Sequence, residues 1–201
     1  MALSSLGPLV PDYITMFAPG SDHLPLCVRF GILTLQWARS LTGVIGEMHI
    51  KRPRMGCDCW KKTCQELQRQ LNISREGPER FGLIHADLRL ANLLVEGDRL
   101  GIIDFDDCGF GWFGYDFAAA VSFFEHEPII TELEEAWIRG YRSVRPLSEE
   151  DAKMLPTFVI LRRLLLTAWI GSHAETPTAT EVAETYTAGT LELAEAFLLR
   201  T

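Results

Sequence analysis

The chain has 201 residues, a formal net charge of −8 and 47% hydrophobic residues. That length predicts one domain, or at most one and a half, and the apolar fraction can fill a core, which excludes a chain disordered throughout. The acidic balance argues against nucleic acid as a partner, because phosphate binding needs clustered Lys and Arg. The longest apolar stretch, Leu155 to Ile170, carries Arg162 and Arg163 in its middle and Pro156 at its start. A membrane span needs about 18 or more apolar residues, so no membrane association is expected. The N-terminus lacks both the basic start and the long apolar run of a signal peptide, and a cytoplasmic location is expected.

In chain order, Tyr13 to Ala18 is β-rich and stops at Pro19-Gly20, which predicts a short strand and a turn. Leu33, Trp37, Leu41, Val44, Ile45 and Met48 have helical spacing, predicting a helix over Leu33 to His49. Lys51 to Asp58 reads as a basic loop. Trp60 to Ile73 reads as a polar helix with a thin stripe of Leu67 and Leu71, ended by Gly77-Pro78. Cys57, Cys59 and Cys64 cluster here among five cysteines, but C-x-C-x4-C fits no four-ligand zinc pattern. They are expected to be incidental, reduced thiols.

Phe81 to Ile84 predicts a short strand. Leu93 to Val95 and Leu100 to Ile103 flank Glu96-Gly97-Asp98-Arg99, which predicts a hairpin. From Gly114 onward the pattern is helical, over Tyr115 to Phe124, Ile130 to Val144, Glu149 to His173 and Glu181 to Leu199. Ser148 with Asp151 three residues later is a capping-box-like start. Glu125, Glu127, Glu132, Glu134 and Glu135 read as a solvated helix face, with attraction of an amine-bearing acceptor as the alternative. The fold class is α+β and mostly helical, with a small β element in its middle.

The chemistry-bearing residues lie in that β element. His85 and Asp87 follow one strand, Asn92 opens the next, and Asp104 ends the one after that. Two carboxylates and an amide thus converge at strand ends. Oxygen ligands of this kind suit a hard cation such as Mg²⁺, and a carboxylate off the metal is free to orient or deprotonate a hydroxyl. The set fits phosphoryl transfer, in which the protein mostly positions the nucleophile and neutralises charge. The kinase templates are H-R-D-L-x-x-x-N and D-F-G. Here they stand as His85-Ala86-Asp87-Leu88-Arg89-Leu90-Ala91-Asn92 and Asp104-Phe105-Asp106, in the same order and joined by a hairpin.

These two motifs resemble those of the aminoglycoside phosphotransferase and choline kinase superfamily, H-G-D-x-x-x-x-N and I-D-F-[DE], close to its bacterial homoserine-kinase-type branch. Ala86 stands where Gly is common. The resemblance runs from about Tyr13 to the C-terminus and is strongest from Gly82 to Phe124. It implies the C-terminal lobe of a protein-kinase-like fold, residues 21–201, with a catalytic loop at 85–92 and a metal loop at 104–106. Residues 1–20 would be a remnant of the N-terminal lobe and hinge strand. It implies Asp87 as catalytic base, His85 as support of the loop, and Arg89 near the phosphates. Asn92 and Asp104 would hold Mg²⁺ and with it ATP, and Asp106 is a third acidic group. Asp116 resembles the family Asp that braces the catalytic loop, although an ordinary helix N-cap accounts for it equally well.

Gly109-Phe110-Gly111-Trp112-Phe113-Gly114 also matches G-x-G-x-x-G. A dinucleotide-binding oxidoreductase would use such glycines at a helix N-terminus, but no β-α-β unit follows. The four lysines, Lys51, Lys61, Lys62 and Lys153, include none on a strand ahead of the catalytic loop, so about a hundred residues of nucleotide lobe are expected to be missing. Two readings stay open beside the oxidoreductase. One is an ATP-dependent phosphotransferase acting on a small-molecule hydroxyl, in truncated or split form, with a complementing N-lobe or self-association. The other is a non-catalytic kinase-like remnant that binds a partner.

Overall fold

The computed structural model describes residues 57–74, 76–172, 175 and 177–200. The strand expected at Tyr13 to Ala18 and the helix expected at Leu33 to His49 lie outside the described residues. Helix α1, Cys57–Ile73, starts two residues inside the expected loop. It buries Leu67 and Leu71, as their spacing requires. Cys59 and Cys64 are free thiols on it, Cys59 half-buried and Cys64 buried. Burial pushes the Cys64 thiol up to about 11.

Two small antiparallel sheets follow. Strand β1, Phe81–Ile84, pairs with β4, Gly109–Trp112, so that Phe81 faces Trp112 and Ile84 faces Gly109. Strand β2, Leu93–Glu96, pairs with β3, Arg99–Ile102, with Leu93 facing Ile102. The hairpin turn is where Glu96-Gly97-Asp98-Arg99 predicts it, and Gly97 supplies the positive φ of 60° that the turn needs. Strand β4 occupies the first four residues of the Gly109 to Gly114 run. Its glycines serve close packing, since a Cβ on Gly111 would overlap Ile84 across the ladder. The strand is antiparallel to β1 and leads into a helix without any parallel crossover, so the dinucleotide geometry is not formed here.

Register brings the two motif loops together. The residues leaving β1 at Ile84 start beside the residues entering β4 at Gly109. Asn92, just before β2, and Ile103, just after β3, are joined by an Ile103 N–H to Asn92 carbonyl bond of 3.1 Å. Two ladders separated in sequence thus deliver residues 85–92 and 103–108 to one place.

The rest is helical: α2 Gly114–Ala120, α3 Ile130–Val144, α4 Glu149–Lys153, α5 Leu155–Ser172 and α6 Pro177–Leu198. The single helix expected over Glu149 to His173 breaks at Met154. Pro156 lacks the N–H an uninterrupted helix needs and is tolerated in the first turn of a new one. Ser148 caps α4 as its sequence suggests, its Oγ accepting from the Asp151 N–H at 3.0 Å.

Helix α5 is apolar almost all round because it is the central element, packed between α2 and α6. Leu155, Leu161, Leu164 and Ala168 are fully or almost fully buried on it. By length and composition alone the stretch Glu149–Gly171 could cross a membrane, contrary to the sequence reading, yet over half of it is buried inside the protein. The core forms two clusters. Ala86 belongs to one, with Leu67, Ile84, Trp112 and Phe158. Leu88 belongs to the other, with Phe117, Trp137 and Leu155. The catalytic loop is therefore anchored on both sides of Asp87.

Candidate active site

The loop from His85 to Leu88 is buried, unusually for a loop. Its backbone polar groups must then find partners inside the protein. Asp116, on the first turn of α2 and 2% exposed, supplies two. Its Oδ2 accepts from the His85 N–H at 2.9 Å and its Oδ1 from the Ala86 N–H at 2.7 Å. Of the two readings of Asp116, the geometry shows the brace.

Ala86 has φ 66°, in the left-handed region that costs an L-residue with a Cβ about 1–2 kcal/mol. The common glycine would avoid that cost, so its replacement is not the small departure it looks like in sequence. Contacts on both sides hold the strained turn. Asp116 takes its N–H groups, and the Arg162 guanidinium donates to the Ala86 carbonyl at 3.3 Å.

His85 is fully buried. Its Nε2 bonds the Ile103 carbonyl at 2.9 Å and its Nδ1 accepts from the Asp87 N–H at 3.3 Å, a pattern that places the ring proton on Nε2. The ring also lies 4.6 Å from that of Phe105. His85 thus ties the catalytic loop to the start of the metal loop and does not reach solvent.

The Asp87 carboxylate is the centre of the site. Its Oδ1 pairs with the Arg162 guanidinium. Its Oδ2 accepts from Arg89 Nε at 2.9 Å and from the Asn92 amide at 3.3 Å. Asn92 also donates to the Asp87 carbonyl at 2.8 Å. That commits its amide nitrogen inward, to the Asp87 carbonyl and carboxylate. Arg89, expected near the phosphates, here lies on Asp87.

Asp104 and Asp106 are exposed on the metal loop, and Asp104 takes φ 65°, which Asp tolerates better than most residues. Next to them, burial first and then the charges of Asp87, Asp104 and Asp106 push the Asp107 carboxyl above its ordinary range, with Arg162 opposing. The charges of Asp87, Asp104 and Asp106 all bear on Asp107, and carboxylates beside an amide oxygen are the ligand type a hard divalent cation takes. Among the described residues no group of three or more His, Cys, Asp or Glu side chains is placed to hold a metal ion by itself. An open set suits a cation such as Mg²⁺, which keeps several waters and takes its remaining ligands from phosphates.

Arg162 is the residue that motif reading misses. Its Nε donates to Ser122 Oγ at 3.3 Å, and its Nη1 lies 3.5 Å from the Tyr115 hydroxyl. The neighbouring Arg163 turns into the core and pairs with Glu125 at 2.5 Å, the two side chains 3% and 0% exposed. It also donates to the Tyr186 carbonyl and Thr190 Oγ1, each at 2.9 Å. Glu125 is therefore not part of a solvated face. A signal existed in the sequence, because two arginines in an apolar helix must have buried partners.

Comparison with known proteins places this geometry. Residues 52–147 match the family model "Phosphotransferase enzyme family", APH. That stretch, just under half of the chain, is similar to the phosphotransferase enzyme family. A homoserine kinase of Neisseria meningitidis serogroup B is 41% identical over 80 residues, 38% of this chain and 26% of that kinase. A solved microcompartment-associated aminopropanol kinase is 50% identical with a TM-score of 0.66, over 71% of this chain and 45% of its own. The amicoumacin kinase hAmiN, solved with AMP-PNP, Ca²⁺ and Ami, shares the fold at 19% identity and a TM-score of 0.64, over 94% of this chain and 57% of its own. This chain thus spans about a quarter of the homoserine kinase and about half of each solved kinase. The fold is the mostly helical, kinase-like one that the two motifs imply.

Proposed function

We propose that this protein is an ATP-dependent phosphotransferase that moves the γ-phosphate to a hydroxyl of a small amine-bearing alcohol. The observation that carries the reading is Asp87. Its carboxylate sits on a loop braced by Asp116, beside Asn92 and within electrostatic reach of Asp107, the residue after the metal loop. Asp87 accepts the acceptor hydroxyl and orients it for in-line attack. Asn92 and Asp104, with Asp106 beside them, are the groups that would hold Mg²⁺. When bound, the ion supplies charge neutralisation at the nucleotide phosphates. His85 and Asp116 keep the loop in place.

The acceptor class comes from the relatives. Homoserine and aminopropanol, in the names of two of them, are both amino alcohols. The nucleotide needs a cover that the described lysines, exposed on α1 and α4, do not provide. We place a complementing nucleotide lobe, or a second copy, in that role, in a cytoplasmic setting without nucleic acid or membrane. The test incubates the chain with MgATP and a panel of amino alcohols, including homoserine and 1-amino-2-propanol, and measures phosphoester formation. Transfer that disappears in Asp87→Asn supports the reading. MgATP binding without transfer to any acceptor, with or without a supplied nucleotide lobe, would favour the non-catalytic binding module instead.

A further inference from the structure

Asp87 has both carboxylate oxygens engaged, yet a base must offer one of them to its substrate. Besides the Asn92 amide on Oδ2, the two charged partners of Asp87 differ in kind. Arg162 comes from the central helix α5 with its side chain 11% exposed, and it also holds Ser122 Oγ and the Ala86 carbonyl. Arg89 comes from the loop itself with its side chain 37% exposed and makes one contact, on Oδ2. Moving Arg162 would break several buried contacts at once. Moving Arg89 would break one that water can replace.

We propose that Arg162 is a positioning residue that commits Asp87 Oδ1 as an anchor and thereby presents Oδ2 as the working atom, which Arg89 yields to the acceptor. The inference rests on the phosphotransferase reading given above. In the step it serves, the acceptor hydroxyl donates to Oδ2. The acceptor oxygen forms a bond to the γ-phosphorus as the bond from that phosphorus to its bridging oxygen breaks. The electron pair leaves with the nucleoside diphosphate, and the hydroxyl proton passes to Oδ2 and then to water. A carboxylate free to rotate would offer the wrong oxygen or the wrong lone pair for much of the time, and a misplacement near 1 Å costs about 10²-fold in rate. Arg162 also fixes the Ala86 carbonyl, so the orientation of Asp87 and the strained turn before it depend on one guanidinium.

The experiment uses the full chain, with any lobe needed for activity. In Arg162→Gln, kcat is expected to fall about 10²-fold while the KM for MgATP stays essentially unchanged. Arg162→Lys, which can still reach one oxygen, should recover part of kcat. A KM rise at unchanged kcat, or no recovery in Arg162→Lys, overturns the proposal. Crystal structures of wild type and Arg162→Gln give a second readout that needs no activity. The Asp87 carboxylate should rotate away from its Asn92 contact; an unmoved carboxylate overturns the proposal. Should the wild type phosphorylate no acceptor, the phosphotransferase reading falls, and the crystal comparison still decides whether Arg162 sets Asp87.

Discussion

Replacing Asp116 by Asn removes one charge without changing side-chain size, and the cost can be worked from two hydrogen bonds. In the native protein both carboxylate oxygens receive buried N–H groups, from His85 at 2.9 Å and Ala86 at 2.7 Å. An amide has one oxygen, so one N–H of the loop must face an NH₂. A hydrogen bond to a charged group contributes about 1.5–3 kcal/mol, and the orphaned donor is buried. Against this, Ala86 is freed to leave the left-handed region, which returns about 1–2 kcal/mol. The net loss of stability is therefore small, about 0.5–1 kcal/mol, while the loop loses the conformation that aims Asp87. We expect a modest shift of the urea midpoint with an unchanged slope, and a fall in phosphoryl transfer of about 10²-fold. An ordinary acidic residue in a helix's first turn would show a similarly small loss, about 0.3–1 kcal/mol, but with activity intact. That outcome would refute the bracing role.

Three further outcomes follow from the interior. Arg163→Met strands the Glu125 carboxylate, which is 0% exposed, and should cost about 3–5 kcal/mol, whereas Arg163→Met with Glu125→Leu should lie close to wild type in urea denaturation. Cys64, pushed up to about 11 from 9.0, keeps its thiol protonated at pH 8. Alkylation there should modify half-buried Cys59 first and Cys64 only on unfolding, as read by mass spectrometry. Gly111→Val should destabilise the protein by about 1–3 kcal/mol in thermal melts, because the side chain must displace Ile84 across the β1–β4 ladder.

What could be read from the sequence was local. Strand β1, the hairpin turn at Gly97, helix α3 and the Ser148 cap all lie where periodicity and turn chemistry put them, because each depends on a few neighbouring residues. Strand β4 escaped notice because Gly109 and Gly111 have poor strand propensity. Their place in the ladder is fixed by packing on Ile84, from a segment far upstream. The two motifs identified the residues of the site but not how they are held. Asp87 meets Arg162 across 75 positions, and Glu125 meets Arg163 across 38. No spacing rule reports contacts of that range, and the pairing of Arg89 with Asp87 is likewise not legible from its motif position.

Arg162 and Arg163 are consecutive, so on a helix of 3.6 residues per turn they point about 100° apart. One reaches the catalytic loop and the other the interior beneath α6. The site is thus indexed by helical phase. Inserting one residue between Pro156 and Arg162 would swing both guanidinium groups together, unpairing Asp87 and Glu125 in a single event. The same insertion at Gly97 would only lengthen an exposed hairpin tip. Segment length, counted from the proline that restarts the helix, is therefore under tighter constraint than the identity of most residues within it.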